Sequence, residues 1–172
     1  KDADYYLKKE RMVSEYGSPI LQIETPEILV RDSVVTKNLN IKNISQFSWQ
    51  KVSDKLSISI QTVAYKDSIK PDLKEIFNDE LGNLMQLQAK KIKTTARKFK
   101  NVKDLSGDLL EGTYEINEGS ETKQMRFLTV FISDSYGLQT IRITHNAKDK
   151  FVKNFIERVT NSLEQINQEE DE

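Results

Sequence analysis

The sequence predicts an α+β fold in which one antiparallel sheet is flanked by two long helices. Apolar and polar residues alternate in several short stretches separated by turn residues, which is typical of antiparallel strands. Two longer segments instead place apolar residues three and four positions apart, as on one face of a helix. Because strands and helices do not alternate regularly, a doubly wound parallel sheet is not expected.

The N-terminal segment predicts a short polar helix over residues 2–16. Tyr5, Met12 and Tyr16 lie near helical spacing, and Gly17-Ser18-Pro19 would end the helix. We expect it to be a peripheral packing arm. The next segments predict a strand at 20–23 stopped by Pro26, an apolar stretch at 28–35 without a clear period, and a polar connection at 38–45.

The middle of the chain predicts a β-hairpin followed by a long helix. Phe47 and Trp49 alternate with polar residues before the turn-like Ser53-Asp54-Lys55, and alternation resumes from Leu56. Residues 71–90 predict the first long helix, because a proline stands at the first turn before one apolar stripe.

The C-terminal half predicts a three-strand meander and a closing helix. The strands are expected at 109–117, 124–133 and 138–145, separated by turn chemistry at 118–120 and 134–137. The closing helix is expected at about 148–165, with Phe155 and Ile156 facing the sheet.

Length and composition favour one domain over residues 1–172. The 37% hydrophobic and 31% charged fractions are ordinary for a globular protein and argue against global disorder. Within this domain we expect a helical arm at 1–17, a sandwich core at 18–166 and an acidic tail at 167–172.

Charge and cysteine content exclude several function classes. With 26 basic and 27 acidic residues, the chain has no overall bias towards nucleic acid or an anionic membrane. The absence of cysteine excludes disulfides, thiolate catalysis and cysteine zinc sites. No apolar run approaches the roughly 20 residues of a membrane helix, so a soluble chain is expected. The start at Lys1 rather than methionine suggests that a leader, a lipoprotein anchor or a neighbouring segment was removed, and the first two alternatives favour an extracytoplasmic location.

The order of elements resembles the PsbP-like fold family, named for an extrinsic subunit of photosystem II and shared with a nuclear-transport factor that binds a small GTPase. The resemblance covers about residues 18–166 and rests on ILQIETPEI, LSISIQTVAY, the long helix, LLEGTYEI, QMRFLTVFI, GLQTIRITH and KFVKNFIERVTNSLEQI. It implies an α/β/α sandwich with a non-enzymatic accessory or binding role. No functional residue is carried over from it.

Familiar catalytic and cofactor motifs are absent from the sequence. His145 is the only histidine, and the interpretation we favour is a strand-end or surface histidine rather than a functional group. The six glycines form neither GxGxxG nor a P-loop, and GxSxG and HExxH do not occur. Adjacent acids such as Asp79 and Glu80 are interpreted as ordinary surface charge. We therefore predict no cofactor, no metal and no catalytic residue.

One segment of the chain is unusually rich in lysine and arginine. Residues 90–103 contain no acid, and their seven cations form the candidate anion-binding set: Lys90, Lys91, Lys93, Arg97, Lys98, Lys100 and Lys103. Such a run can attract phosphate or carboxylate surfaces. The interpretation we favour is a charged strand edge that discourages aggregation, because Phe99 is the only aromatic residue in the run.

The aromatic residues are a second candidate surface, since tyrosine and tryptophan are favoured at interfaces. The candidates are Tyr5, Tyr6, Tyr16, Trp49, Tyr65 and Tyr136, although Trp49 fits a core position better.

Three functional hypotheses follow. The leading one is a non-catalytic accessory domain that binds a protein partner, with nucleic acid disfavoured. The alternative is a small electrostatic module that binds a lipid or nucleic acid through residues 90–103. The third is an enzyme whose site is assembled from distant residues and leaves no local motif.

Overall fold

The computed structural model of the protein describes residues 8–13, 18–27, 29–36, 38–51, 56–68, 72–148 and 152–166. These ranges contain ten strands and two helices. In chain order they are β1 Lys8–Val13, β2 Leu21–Thr25, β3 Val30–Asp32, β4 Ile41–Lys51, β5 Leu56–Tyr65, α1 Leu73–Gln86, β6 Lys90–Lys100, β7 Ser106–Glu118, β8 Glu121–Ser133, β9 Gly137–Asn146, α2 Val152–Ser162 and β10 Glu164–Gln165.

Most of the strands form one seven-stranded antiparallel sheet in the order β3-β4-β5-β9-β8-β7-β6. A smaller sheet has the order β1-β2-β10 and is also antiparallel. Strands β3 and β6 are therefore the two edges of the large sheet.

The two faces of the large sheet bury separate apolar clusters, because side chains alternate along each strand. One face packs against α2 and the small sheet, where Ile60, Ile141 and Phe155 are almost fully buried. The opposite face packs against α1, with Phe131 and Leu84 in its cluster. This alternation fixes which face of the molecule each functional side chain reaches.

The predicted α+β fold with two long flanking helices, and with it the α/β/α sandwich, is wrong. The structure is mainly antiparallel β, and α1 and α2 have only 14 and 11 residues. Helix α1 stops short of residue 90 because Gln88 adopts a positive φ of 59° and strand β6 begins at Lys90. Helix α2 stops at Ser162 because Glu164 and Gln165 pair with β2.

Two predictions in the first half of the chain are also wrong. Lys8–Val13 is a strand rather than part of a helical arm, since it pairs with β2 and buries Val13. The rest of the predicted arm lies outside the described residues, as does the predicted acidic tail. The polar connection expected at 38–45 already contains the start of β4, where Ser45 is buried opposite Thr62.

The hairpin and the meander are confirmed. Strands β4 and β5 pair with Trp49 opposite Ile58, although the predicted turn at 53–55 lies outside the described residues. Strands β7, β8 and β9 are consecutive neighbours, as the turn chemistry predicts. The strand predicted at 20–23 corresponds to β2.

Candidate functional site

Beside α2, the large sheet carries an open cleft of about 800 Å³ between the helix and the outer strands. We call it the α2 cleft. It is lined by Thr95 and Arg97 of β6; Glu111, Gly112 and Thr113 of β7; Arg126, Phe127 and Leu128 of β8; His145 and Ala147 at the end of β9; and Lys153, Ile156 and Glu157 of α2. Its volume lies within the range of roughly 300–1,000 Å³ that is usual for ligand pockets.

The strand register explains why this part of the sheet is open. Leu109, Val130 and Ile141 form one row across β7, β8 and β9, and all three are buried in the core. Four residues further along β7, the corresponding row begins with Thr113 and continues through Arg126 to His145. The same face therefore changes from apolar core to polar cleft along the strands.

The lining of the cleft combines half-buried apolar side chains with exposed charged ones. Leu128 and Ile156 are half-buried and pack against the core that α2 covers. Arg126, Lys153 and Glu157 also line the cleft and are exposed. The lining carries charges of both signs, so the cleft differs from a site for a polyanion, which requires predominantly positive charge.

His145 lies on the floor of this cleft. Its side chain is buried, and its ring Nδ1 is 2.8 Å from the carbonyl oxygen of Asn146, where an Nδ1–H would donate a hydrogen bond. The sequence-based placement at the end of a strand is confirmed, but the histidine is not a surface residue. Within the described ranges, no group of three or more histidine or acidic side chains is arranged to hold a metal ion.

The basic run lies on edge strand β6 and the turn that follows it, and all seven of its cations are exposed. Strand geometry divides them between two faces. Lys93 and Arg97 lie on the face of the sheet that α2 covers, where Phe99 is buried in the core. Lys98 and Lys100 lie on the opposite face, which α1 covers. Arg97 is the only member that lines the α2 cleft.

Acids from neighbouring segments pair with most of the basic run. The nitrogen–oxygen distances are 3.5 Å for Lys91–Glu115, 3.0 Å for Arg97–Glu111, 2.9 Å for Lys98–Asp108, 3.7 Å for Lys100–Asp104 and 3.3 Å for Lys103–Glu164. Exposed pairs of this kind each stabilise a fold by only about 0–1 kcal/mol. Their consequence is electrostatic, because they offset much of the positive charge that the linear sequence concentrates.

A buried ion pair that the sequence analysis does not predict lies between α1 and the sheet. Glu80 is buried, and its carboxylate contacts Arg142 of β9 and accepts a hydrogen bond from Thr129 at 3.3 Å. Burial lowers the pKa of the Arg142 guanidinium, but the contributions that raise it, of which the hydrogen bond and charge of Glu80 are the largest, leave the pKa raised overall. The interpretation of Glu80 as surface charge is wrong, whereas Asp79 is exposed. The signal was present in the sequence, because Glu80 follows Phe77 by three residues on the apolar stripe of α1.

The aromatic candidates do not form one surface. Trp49 stacks on Phe155 with ring centroids 6.3 Å apart and belongs with the core. Tyr136 is exposed in the turn before β9, and Tyr65 is half-buried on the α1 face. Burial, and then the charge of Asp134, raise the pKa of Tyr65. Tyr5, Tyr6 and Tyr16 lie outside the described residues.

Comparisons with known proteins do not establish a family. No protein-family model and no curated protein sequence matches the chain. Among solved structures, the chain is similar to the crystal structure of LpqN, involved in cell envelope biogenesis of Mycobacterium tuberculosis. The TM-score is 0.49 and the sequence identity 9%, over 93% of this chain and 91% of that chain. A likeness at this level carries no argument about function, and the resemblance to the PsbP-like family is not confirmed.

Neither of the two helices in the described ranges is both long and apolar enough to cross a bilayer.

Proposed function

We propose that this chain is a non-catalytic accessory domain that holds a protein partner in the α2 cleft. The observation that supports the proposal is the distribution of polarity around the cleft. Half-buried apolar Leu128 and Ile156 line it together with exposed, charged Arg126, Lys153 and Glu157. Protein–protein interfaces commonly combine less accessible apolar contacts with accessible polar ones.

The chemistry of the cleft favours binding over catalysis. General acid–base catalysis needs a positioned proton donor or acceptor within hydrogen-bond reach of the reacting group. Here the Glu111 carboxylate is held by Arg97 at 3.0 Å, and the His145 ring nitrogen lies against a backbone carbonyl. The proposal that the chain is not an enzyme rests on these contacts together with the absence of a catalytic motif in the sequence.

The electrostatic alternative has weaker support. All seven cations of residues 90–103 are accessible to an anionic partner. However, Lys93 and Lys98 lie on opposite faces of β6, and acids from β7 and the adjoining turns pair with the run. A lipid or nucleic-acid surface would have to displace those acids. An extracytoplasmic location stays a prediction.

Site-specific photocrosslinking on α2 tests the proposal. Glu157, which lines the cleft, is replaced with p-benzoylphenylalanine in one variant, and Asn154, an exposed residue of the same helix outside the cleft lining, in a matched variant. After irradiation in the organism's own cells, we expect a discrete protein adduct from position 157 and not from position 154. The adduct should disappear when Arg126→Glu and Lys153→Glu are added. Equal adducts from both positions, or an adduct that survives the charge reversals, would contradict the proposal.

A further inference from the structure

The outer edge of β6 has no strand beside it among the residues that the structure describes. In this part of the chain β6 ends the seven-stranded order and pairs with β7 alone. No backbone hydrogen bond from a described loop or turn ends on residues 90–100. Residues 93–98 are all exposed, including Ala96, whose short side chain a neighbouring segment would readily cover. The central part of this edge is therefore open.

Backbone groups at alternate positions of β6 point away from β7. The Asn101 N–H donates to the Leu105 carbonyl at 3.1 Å across the turn between the two strands. The carbonyl oxygen of Lys93 also points to β7, because a Cβ at Gly112 would collide with it. Inward-facing and outward-facing backbone groups alternate along an antiparallel strand, and the register is regular from Lys93 onwards. The outward-facing N–H and C=O groups in the centre of the strand are those of Thr94, Ala96 and Lys98.

The side chains along this edge are basic and exposed. Six of the 11 residues of β6 are lysine or arginine. Lys90 and Lys93 form no ion pair with a described acid. Arg97 and Lys98 do pair with acids, but their side chains stay 55% and 85% exposed. Two copies of β6 would place like charges opposite one another, which opposes pairing with a second copy and favours an acidic strand.

We infer that the β6 edge binds an extended acidic segment of a different protein, which becomes an eighth strand of the large sheet. The segment pairs with the outward backbone groups of Thr94, Ala96 and Lys98, which is strand addition. Its side chains alternate between the two faces of the sheet, so carboxylates reach Lys93 on one face and Lys98 on the other. Backbone pairing supplies the affinity, and the basic side chains select the acidic segment. A polyanion such as heparin lacks the backbone contribution.

Fluorescence anisotropy with the full chain and a fluorescein-labelled decapeptide of alternating glutamate and valine tests the inference. We expect saturable binding, at least tenfold tighter than that of a decapeptide of alternating lysine and valine. Ala96→Pro removes an outward N–H that β7 does not use, and edge strands accept proline at such positions. It should weaken binding of the glutamate peptide at least tenfold, whereas Ala96→Val keeps the N–H and should bind as the wild type does. No binding, equal binding of both peptides, or equal affinity of the two folded variants would overturn the inference.

Amide hydrogen exchange of the wild type, followed by NMR, tests strand addition without any substitution. The N–H groups of Thr95 and Arg97 face β7 and should be protected with and without peptide. Those of Thr94, Ala96 and Lys98 should exchange at least tenfold more slowly when the glutamate peptide is bound. Peptide binding without this added protection would show that side chains alone are recognised and would overturn the strand model.

A charge variant tests why the segment must be acidic. Lys90→Gln with Lys93→Gln should weaken binding of the glutamate peptide at least threefold. Lys42→Gln with Lys66→Gln makes the same change in net charge at exposed positions outside β6 and should leave binding unchanged. Equal effects of the two variants would overturn the selection of acidic segments by β6.

Analytical ultracentrifugation tests the identity of the occupant. We expect no self-association through β6, and dimers that Ala96→Pro abolishes would identify a second copy and overturn the choice of a different protein. Ala96 is not among the residues that line the α2 cleft. The peptide experiments and the crosslinking at position 157 therefore succeed or fail independently.

Discussion

The guanidinium of Arg142 contacts both carboxylate oxygens of Glu80, with Nη2 2.6 Å from Oε2, and so ties α1 to the central strand β9. The Glu80 side chain is 3% exposed and that of Arg142 is 21% exposed. Because the carboxylate is the more deeply buried partner, losing the arginine leaves the more costly uncompensated charge.

A double-mutant cycle on this pair should therefore be asymmetric. We expect Arg142→Met to lower the free energy of unfolding by about 3 kcal/mol and Glu80→Gln to lower it by less. The double variant should recover part of the loss, because both charges are then removed. Urea denaturation measures all four proteins, and strictly additive losses would show that the two side chains do not interact.

The closing helix depends on Phe155, which is 1% exposed in the core that α2 shares with the sheet. Phe155→Asp would bury an unpaired carboxylate, so we expect a loss of several kcal/mol, about 4 or more, or failure to fold. Asn154→Asp places the same carboxylate at an exposed position of the same helix and should change stability by less than about 0.5 kcal/mol. Similar melting temperatures for the two variants would be inconsistent with this packing.

Replacing Gly112 or Gly82 with alanine should change the stability of the fold in opposite directions. A Cβ at Gly112 would collide with the backbone carbonyl of Lys93 on β6, whereas a Cβ at Gly82 meets nothing within 4 Å. Gly112→Ala should therefore destabilise the fold by about 2 kcal/mol and loosen the edge strand. Gly82→Ala should stabilise it by about 0.5–1 kcal/mol, because alanine has the higher helix propensity. Thermal unfolding shows whether each variant has a higher or a lower melting temperature than the wild type. A stabilised Gly112→Ala variant would contradict the close approach of β6 to β7.

The basic run should not capture anionic surfaces at physiological salt. Lys98 lies 2.9 Å from Asp108 and Lys100 3.7 Å from Asp104, so the local positive charge is already offset. Heparin affinity and co-sedimentation with anionic vesicles should be negligible. They should be the same for the wild type and for the variant Lys98→Gln, Lys100→Gln. Salt-sensitive binding that this variant abolishes without unfolding would favour the electrostatic alternative.

The sequence predicts those elements whose pattern of apolar and polar residues depends only on near neighbours in the chain. The β4–β5 hairpin and the meander of β7, β8 and β9 follow from alternation and turn residues, which act between near neighbours. The length of α1 did not follow, because its apolar stripe continues to Leu87 while the chain turns at Gln88. Strand β1 was misread because its pairing with β2 outweighs the local preference of a polar segment.

Neither the α2 cleft nor the charge balance of β6 could be predicted from the sequence. The cleft joins His145, Arg126 and Thr113 through a register that spans three strands. Most of the acids that pair with the basic run lie in β7 and reach it through pairing between β6 and β7, whereas Asp104 lies in the turn after β6 and Glu164 in β10. The run of basic residues in the sequence therefore overstates the positive electrostatic potential of the folded surface.

The affinity of the partner that crosslinks at position 157 shows whether that protein occupies the α2 cleft. Isothermal titration calorimetry compares the wild type with Arg126→Glu, Lys153→Glu and with a control variant, Lys42→Glu, Lys66→Glu, that changes the net charge equally at exposed positions outside the cleft. We expect at least tenfold weaker binding for the cleft variant and wild-type affinity for the control. Wild-type affinity in both variants, with both folded, would show that the partner does not bind in the α2 cleft.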